Sequence, residues 1–324
     1  MNKKNTTNRS VPVLITWDVD PDLWMPFERR QKALHAALEL CNQHNIPATF
    51  YVTAQVAHEY VADFEIMQAQ GHEIGCHGLT HGDEENYDRL PEQVQRHYIG
   101  EATEKLQSVS GVPIHAFRSP RVKTSAQTLK LLAEHGYWSD SSVCSQRMDL
   151  VSSNLLNVGW LFAPRRPYRP HQSSAFKRGN VPLWEIPVSA VVAPFISSML
   201  AVVGLPAMKL FFWLLHAESQ RTGKPIVYLA HPVEFAPMRK GKWNAAMRRE
   251  YYSLSYIRAH GLRLRAMLYK ADSYTRLSYT QDLFAYMTSF PDVVFMTVSG
   301  YTRDHLGEAN HSTLAAADAL PNGS

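Results

Sequence analysis

Acidic and imidazole side chains follow two apolar runs of the sequence in patterns that could bind a metal ion. The run ITWDVD carries Asp18 and Asp20, which lie two residues apart and so on the same side of an extended chain. The run CHGLTH carries His77 and His81, four residues apart. Two imidazoles and one carboxylate are a typical ligand set for a catalytic divalent ion, because they leave positions open for water and substrate. Each pair alone is a weak signal, and their joint placement at strand ends favours metal-dependent chemistry.

Two further polar groups end apolar runs later in the chain. The run FRSPR places Arg118 before a proline, and the run YLAHP places His231 before another. Taken singly, Arg118 could be a salt-bridged structural residue and His231 a satisfied core histidine. Two acids, three histidines and an arginine at one rim would be unusual in a purely structural protein, so we interpret the set as a catalytic site.

The elements that must position these residues alternate along the chain. Short β-rich runs are separated by longer segments with helical spacing, a pattern typical of parallel strands joined by helical crossovers. The predicted strands are Val11–Trp17, Ala48–Val52, Glu73–Cys76, His115–Arg118, Tyr137–Ser141, Leu183–Val188, Ile226–Ala230 and Val293–Val298. No glycine-rich phosphate loop follows the first strand. We therefore expect an α/β fold built as a deformed (β/α) barrel of seven or eight strands, with an open doubly wound sheet as the alternative.

Helical spacing is clearest in two segments between these strands. Apolar residues recur every three or four positions in Phe27–His44 and in Pro91–Val109, which predicts one buried face on each helix. A third helix should end before Gly136, and its start could carry a capping box formed by Thr124 and Gln127.

Residues 11–302 are predicted to form a single domain, flanked by flexible tails at residues 1–10 and 303–324. A basic helical insertion is predicted at about residues 237–280. Between Ala236 and Ala271 the chain carries nine Lys or Arg residues and one acid, Glu250. Such a patch is most simply a solvated helical face, with binding of a phosphate-bearing substrate or an anionic membrane surface as the alternatives.

Composition narrows the location and the class of protein. The 324 residues are 45% hydrophobic and 19% charged, which is ordinary for a globular protein with a substantial core. The sequence has three widely spaced cysteines, no export signal and no unbroken apolar run long enough to span a bilayer. These features predict a cytoplasmic protein. Peripheral contact at the inner face of the membrane is the alternative. No nucleic-acid-binding module is visible.

Five motifs, in order, carry a resemblance to a known family. The segments TWDVD, HGLTH, RSPR, WSDSS and LAHP resemble the ordered motifs of the polysaccharide deacetylases, the NodB-homology or carbohydrate esterase family four group. The resemblance covers residues 11–231, and the last predicted strand extends it to nearly the whole chain. Arg121 departs from the pattern, because an aromatic residue often stands at this place in the third motif.

The resemblance implies a metal centre and a set of catalytic groups. Asp20, His77 and His81 match the ligands of one divalent ion, for which we expect zinc, with cobalt, manganese, nickel or iron as alternatives. The catalytic residues that it implies are the general base Asp18, the arginine that orients it, Arg118, the fourth-motif Asp140 and the general acid His231.

These residues predict a metal-dependent hydrolase that removes an N-acyl group, acetyl or formyl, from an amino sugar or glycan precursor. Amides resist hydrolysis, so such an enzyme must supply a nucleophile, an oxyanion stabiliser and an acid. Two alternatives are a hydrolase of another non-peptide C–N bond, such as a cyclic amide, and an inactive carbohydrate-binding barrel. The apolar stretch at residues 195–215 and the basic insertion also suggest a lipid-phosphate-linked substrate.

Overall fold

The computed structural model describes residues 9–145, 159–237 and 272–307. One curled sheet of parallel strands dominates them. Its strands are β1 (Val11–Val19), β2 (Ala48–Val52), β3 (Glu73–Cys76), β4 (Ala116–Phe117), β5 (Ser139–Asp140), β8 (Trp184–Glu185), β11 (Ile226–Ala230) and β12 (Val293–Phe295). They lie in the order β11-β1-β2-β3-β4-β5-β8, and β12 pairs with the first residues of β1. The predicted deformed barrel is confirmed.

Helices and two small antiparallel pairs complete the described chain. The pairs are β6 (Pro170–His171) with β7 (Ser174–Arg178), and β9 (Ala190–Val191) with β10 (Ala193–Pro194). The α-helices are α1 (Phe27–Gln43), α2 (Val61–Ala69), α3 (Glu92–Ser110), α4 (Ala126–Glu134), α5 (Gly159–Phe162), α6 (Ser197–Val203), α7 (Leu205–Thr222), α8 (Ser273–Thr288) and α9 (Val298–Tyr301). Shorter 3-10 turns span Ala54–Tyr60, Pro120–Val122 and Pro232–Phe235, and a π turn spans Thr302–Leu306.

Strand β1 is the central strand of the barrel. All nine of its residues are buried, and it pairs in parallel with both β2 and β11. Parallel pairing brings the carboxyl ends of neighbouring strands to one edge, which is where the polar residues following each strand must meet. The sheet continues past β8 because the backbone N–H of Ser189 donates to the carbonyl of Val227 at 3.1 Å, which joins the next segment to β11.

Local differences from the predicted elements have physical causes. Strands β4 and β5 pair over only two residues each, because the chain turns at Pro120 soon after the first and enters a loop after the second. The capping box of α4 lies one residue later than predicted. The hydroxyl of Ser125 accepts from the backbone N–H of Thr128 at 3.1 Å, and the Thr128 hydroxyl accepts from the backbone N–H of Ser125 at 3.2 Å.

The predicted insertion lies largely outside the described residues, at 238–271. Its last predicted residues, from Ser273, form the first half of α8. The described chain continues past residue 302 through the π turn to Gly307, so the first residues of the predicted carboxyl-terminal tail are helical. Within the three described ranges, no helix combines the length and apolar character that crossing a bilayer requires.

Candidate active site

Asp20, His77 and His81 converge at the carboxyl edge of the sheet. Asp20 directly follows β1, and His77 directly follows β3. The Nε2 atoms of His77 and His81 lie 3.3 and 3.4 Å from the same oxygen, Oδ1 of Asp20. Ligand atoms of all three residues lie within 4.8 Å of one another, close enough to share one metal ion.

The donor atoms of this triad fit a divalent metal. Nδ1 of His77 lies 2.8 Å from the backbone carbonyl of Arg118 and donates to it, which leaves the lone pair of Nε2 directed at the triad. Oδ1 of Asp20 is buried and has no regular hydrogen-bond donor among the described residues. Buried polar atoms without partners are rare, so this oxygen marks a position where a cation would satisfy it.

Charge within the triad also favours a cation. Burial alone would raise the pKa of Asp20, yet the nearby imidazoles of His81 and His77 hold it below its ordinary value. Burial lowers the pKa of His81 to about 4. An ionised Asp20 beside a neutral His81 is the protonation state that these two groups need as metal ligands. Burial opposes a charge on His77, but the carboxylates of Asp18 and Asp20 raise its pKa in the absence of a bound ion.

The turn that carries His81 is held by Glu85, a residue that the sequence analysis did not identify. The Glu85 carboxylate is fully buried and accepts the backbone N–H groups of Leu79, Thr80 and His81 at 2.7, 2.6 and 2.7 Å. The turn also needs Gly78, whose φ is +77° and where a Cβ would lie 2.6 Å from Oε1 of Glu85. No sequence motif identifies Glu85, because its backbone partners come within reach only when the turn has formed.

Arg121 stabilises the turn at residues 78–85 through backbone carbonyl groups. Its guanidinium donates to the backbone carbonyls of His81, Gly82 and Glu85 at 3.0, 2.6 and 3.0 Å. The residue that departs from the third family motif therefore supports the backbone of a triad histidine.

Asp18 and Arg118 form a buried ion pair beside the triad. One guanidinium nitrogen of Arg118, NH1, donates to Oδ1 of Asp18 and to the Thr16 hydroxyl, each at 2.8 Å. Nε donates to the carbonyl of Ser141, and the guanidinium lies 4.3 Å from the centre of the Tyr51 ring. The other carboxylate oxygen of Asp18 lies 3.8 Å from Nε2 of His77, so Asp18 faces the triad.

Asp140 is the last residue of β5 and lies beside another buried acid. It is fully buried, and its Oδ1 accepts from the Ser142 hydroxyl at 2.6 Å. Its register partner across β5 and β8 is Glu185, another fully buried acid, and burial raises the pKa of both carboxyls. Asp140 and Arg118 interact electrostatically, which connects this pair to the arginine that holds Asp18.

His231 follows β11 and faces a carboxylate that the sequence analysis missed. Its Nδ1 lies 3.6 Å from Oε1 of Glu234, three residues along the turn that Pro232 begins. The same Glu234 oxygen accepts from the hydroxyl of Ser197, the first residue of α6, at 2.9 Å. Burial would lower the pKa of His231, but the Glu234 carboxylate and the acids of the site raise it to about 9. The imidazole is 29% exposed, so a substrate can reach it.

The family model for polysaccharide deacetylase matches residues 4–139. This segment contains four of the strand ends described above and all three residues of the triad. No curated protein matches the chain.

Solved structures share the fold over nearly the whole chain. A candidate polysaccharide deacetylase from Mycobacterium smegmatis is 17% identical, with a TM-score of 0.58 over 100% of this chain and 96% of the other. A second candidate deacetylase, from Pseudomonas aeruginosa PAO1, is 14% identical, with a TM-score of 0.58 over 92% and 93% of the two chains. Puue allantoinase is 13% identical, with a TM-score of 0.56 over 94% and 93%.

At these identities the solved structures establish the fold alone, and they include an enzyme named for a different reaction. The family match is independent of them and covers the first three motifs, TWDVD, HGLTH and RSPR. The resemblance predicted from the sequence is thereby confirmed, and residues 4–139 match the family model for polysaccharide deacetylase.

Proposed function

We propose that this protein is a metal-dependent hydrolase that removes an N-acetyl or N-formyl group from an amino sugar or glycan precursor. The observation that carries the proposal is the convergence of two Nε2 atoms on Oδ1 of Asp20, beside an Asp18 carboxylate fixed by Arg118. A structural barrel has no need for this arrangement at its open edge.

Asp20, His77 and His81 would hold the metal ion. One divalent ion bound there would acidify a coordinated water molecule and polarise the amide carbonyl. The residues do not select zinc over cobalt, manganese, nickel or iron, since all accept nitrogen and oxygen ligands.

Asp18 is the proposed general base. Arg118 donates to its Oδ1, which fixes the carboxylate plane. Oδ2 is left facing the triad, where it can accept a proton from the attacking water. Asp140 would act more remotely, through its charge interaction with Arg118.

His231 is the proposed general acid. An amine leaves only when its nitrogen is protonated, so the site needs a donor opposite the base. With Nδ1 facing Glu234, His231 can carry a proton on Nε2 to the departing nitrogen. The elevated pKa keeps the imidazole protonated at neutral pH.

The finer substrate assignment is part of the proposal. A lipid-phosphate-linked amino sugar and contact with the inner face of a membrane stay predictions from the apolar and basic segments of the sequence. The cytoplasmic location is likewise a prediction.

The test begins with elemental analysis of the purified full chain and of the double variant His77→Ala, His81→Ala. We expect about one divalent ion per chain, lost in the double variant, and release of acetate or formate from acylated amino sugars by the wild type only. His97→Ala, at an exposed histidine of α3, is the matched control and should retain metal and activity. A wild type that binds no metal under any supplementation would overturn the proposal, and hydrolysis of allantoin instead of acylated sugars would redirect it to cyclic amides.

A further inference from the structure

A polar cavity lies at the end of the barrel opposite the candidate active site. It has a volume of about 330 Å³ and is lined at the amino-terminal ends of β1 and β11 by residues that include Pro12 and Lys224. Asp18 and Asp20 stand at the other end of β1, roughly 20 to 25 Å away at about 3.3 Å per strand residue. A ligand in this cavity would therefore not contact the metal triad.

The walls of the cavity are strongly basic. Arg9, Arg166 and Lys224 line it, and no acidic residue does. Among the described residues, neither Arg9 nor Arg166 forms an ion pair or hydrogen bond through its guanidinium, although both contribute to one concave surface. Both arginines are exposed to solvent, and two positive charges on one concave surface attract an anion between them.

The carboxylate that contacts the lining residue Lys224 is already occupied. Oε2 of Glu218 lies 2.8 Å from Nζ of Lys224, and the same carboxylate accepts from Nε of Arg165 at 2.9 Å. Burial and the neighbouring Arg165 lower the pKa of Lys224 to about 8, as expected in a region of positive potential. The Glu218 carboxylate therefore pairs with both Lys224 and Arg165, and it does not neutralise Arg9 or Arg166.

Helix α7 ends at this cavity, and its dipole offsets only part of the charge. A helix carboxyl terminus carries roughly half a negative charge, whereas Arg9 and Arg166 each carry a full positive charge. Arg9 lies directly over the end of the helix. Its NH1 would be 2.9 Å from a Cβ at Gly223, whose φ is +70°, so the bare glycine allows the guanidinium to approach.

The remaining walls can contact a larger ligand than a bare ion. The rings of Tyr301 and His305 are stacked with centres 4.9 Å apart, and both residues line the cavity together with Leu306. A charged group held by the arginines would leave the rest of its molecule against these rings.

We infer that this cavity is a binding site for a phosphate-bearing small molecule, with Arg9 and Arg166 as the phosphate ligands. Guanidinium groups bind phosphate oxygens through paired, charge-assisted hydrogen bonds, which makes paired arginines better suited to phosphate than to a single carboxylate. The inference is independent of the proposed hydrolase function.

Isothermal titration of the full chain with inorganic pyrophosphate, at ionic strength matched with sodium chloride, tests the inference. We expect saturable binding by the wild type and at least tenfold weaker binding by the double variant Arg9→Gln, Arg166→Gln. The double variant Arg89→Gln, Arg96→Gln removes two exposed arginines elsewhere and should bind like the wild type.

Two further measurements separate this site from other sources of binding. The variant His77→Ala, His81→Ala should still bind pyrophosphate, because the proposed site does not involve the metal triad. Binding lost in that variant and kept in Arg9→Gln, Arg166→Gln would overturn the inference, and so would equal binding by all variants. Vesicles of phosphatidylcholine with phosphatidylglycerol should not compete, and binding to these vesicles without binding to pyrophosphate would assign the phosphate to a lipid and overturn the small-molecule site.

Discussion

Each proposed catalytic side chain is held by a partner that leaves one functional atom available. Arg118 binds one oxygen of Asp18, the backbone carbonyl of Arg118 orients His77, and Glu234 faces one nitrogen of His231. Such second contacts restrict rotation and set protonation, so they determine whether a correctly placed residue can act.

Replacing Arg118 by lysine should reduce kcat strongly. A lysine ammonium cannot span Asp18, Thr16 and Ser141 at once, so the carboxylate would lose its fixed orientation. We expect kcat to fall by about a hundredfold, within the usual contribution of an acid or base group, while metal content stays unchanged. Arg96→Lys, at an exposed arginine, is the matched control, and an unchanged kcat in Arg118→Lys would show that the orientation of Asp18 does not matter.

Replacing Glu234 by glutamine should move the pH profile of kcat rather than abolish activity. The carboxylate raises the pKa of His231 to about 9, and without it burial would bring the pKa down. The acid must be protonated, so activity is lost as pH rises through this pKa, and the alkaline limb should shift to lower pH in Glu234→Gln. Glu234→Asp should restore part of the shift. A limb at the same pH in wild type and Glu234→Gln would exclude His231 as the group that titrates there.

At the scale of elements, the sequence predicts positions better than contacts. All eight predicted strands contribute residues to the sheet, because β-rich apolar runs can be buried only in a few ways. Lengths were less predictable: β4 ends where the chain must turn at Pro120, and a hydrophobic run does not reveal where pairing stops. The cap of α4 moved by one residue because a threonine, Thr128, takes the place usually filled by Glu or Gln.

Spacing and residue type marked His77, His81 and the pair Asp18 and Asp20 as candidates, and the family resemblance implied that Asp20 is the ligand. Glu85, Arg121 and Glu234 could not be assigned in the same way. Their partners are backbone groups or a histidine brought near by a turn, and acids and arginines at such positions are otherwise common on protein surfaces. Their roles become visible only when the turns at residues 78–85 and 232–235 have closed.

The turn that carries His81 should control metal affinity. Glu85→Gln keeps the size of the side chain but replaces one carboxylate oxygen by an NH2 group. In the wild type, backbone N–H groups donate to both carboxylate oxygens, so the NH2 group would place one donor against another. We expect metal affinity to fall by about 10- to 100-fold, as for other residues that orient metal ligands. Competition with a chelator measures the affinity, and the neighbouring exposed Glu84→Gln is the control. Equal affinity in wild type and Glu85→Gln would show that the turn is set without this carboxylate.

At the scale of the whole molecule, β1 connects two chemically different ends of the barrel. Its carboxyl end supplies Asp18 and leads into Asp20, and its amino end borders the basic cavity with Arg9 and Pro12. The buried sheet between them must keep its polar groups neutral or paired, since an unpaired charge in the core would cost several kcal/mol. The strands near β1 therefore constrain the pH range in which the barrel is stable.

His72 makes this constraint measurable. It is 7% exposed at the start of β3, packs at 5.3 Å from the Phe50 ring, and accepts the backbone N–H of Ala48 on Nδ1 at 3.2 Å, a role that requires the neutral ring. Burial lowers its pKa from 6.5 to about 4, so the unfolded chain binds a proton over a range in which the folded chain does not. The stability that His72 contributes is thus present above about pH 6.5 and is lost as pH falls towards 4.

Urea unfolding of wild type and His72→Gln at a series of pH values between 7.5 and 5 tests this. Glutamine can still accept the Ala48 N–H through its carbonyl oxygen but does not titrate. We expect the wild type to lose about 2 kcal/mol more than His72→Gln over this range, from about 1.4 kcal/mol per unit of pKa difference. His97→Gln, at an exposed histidine, should follow the wild type. Parallel pH dependences in wild type and His72→Gln would mean that a residue other than His72 takes up the proton when the chain unfolds.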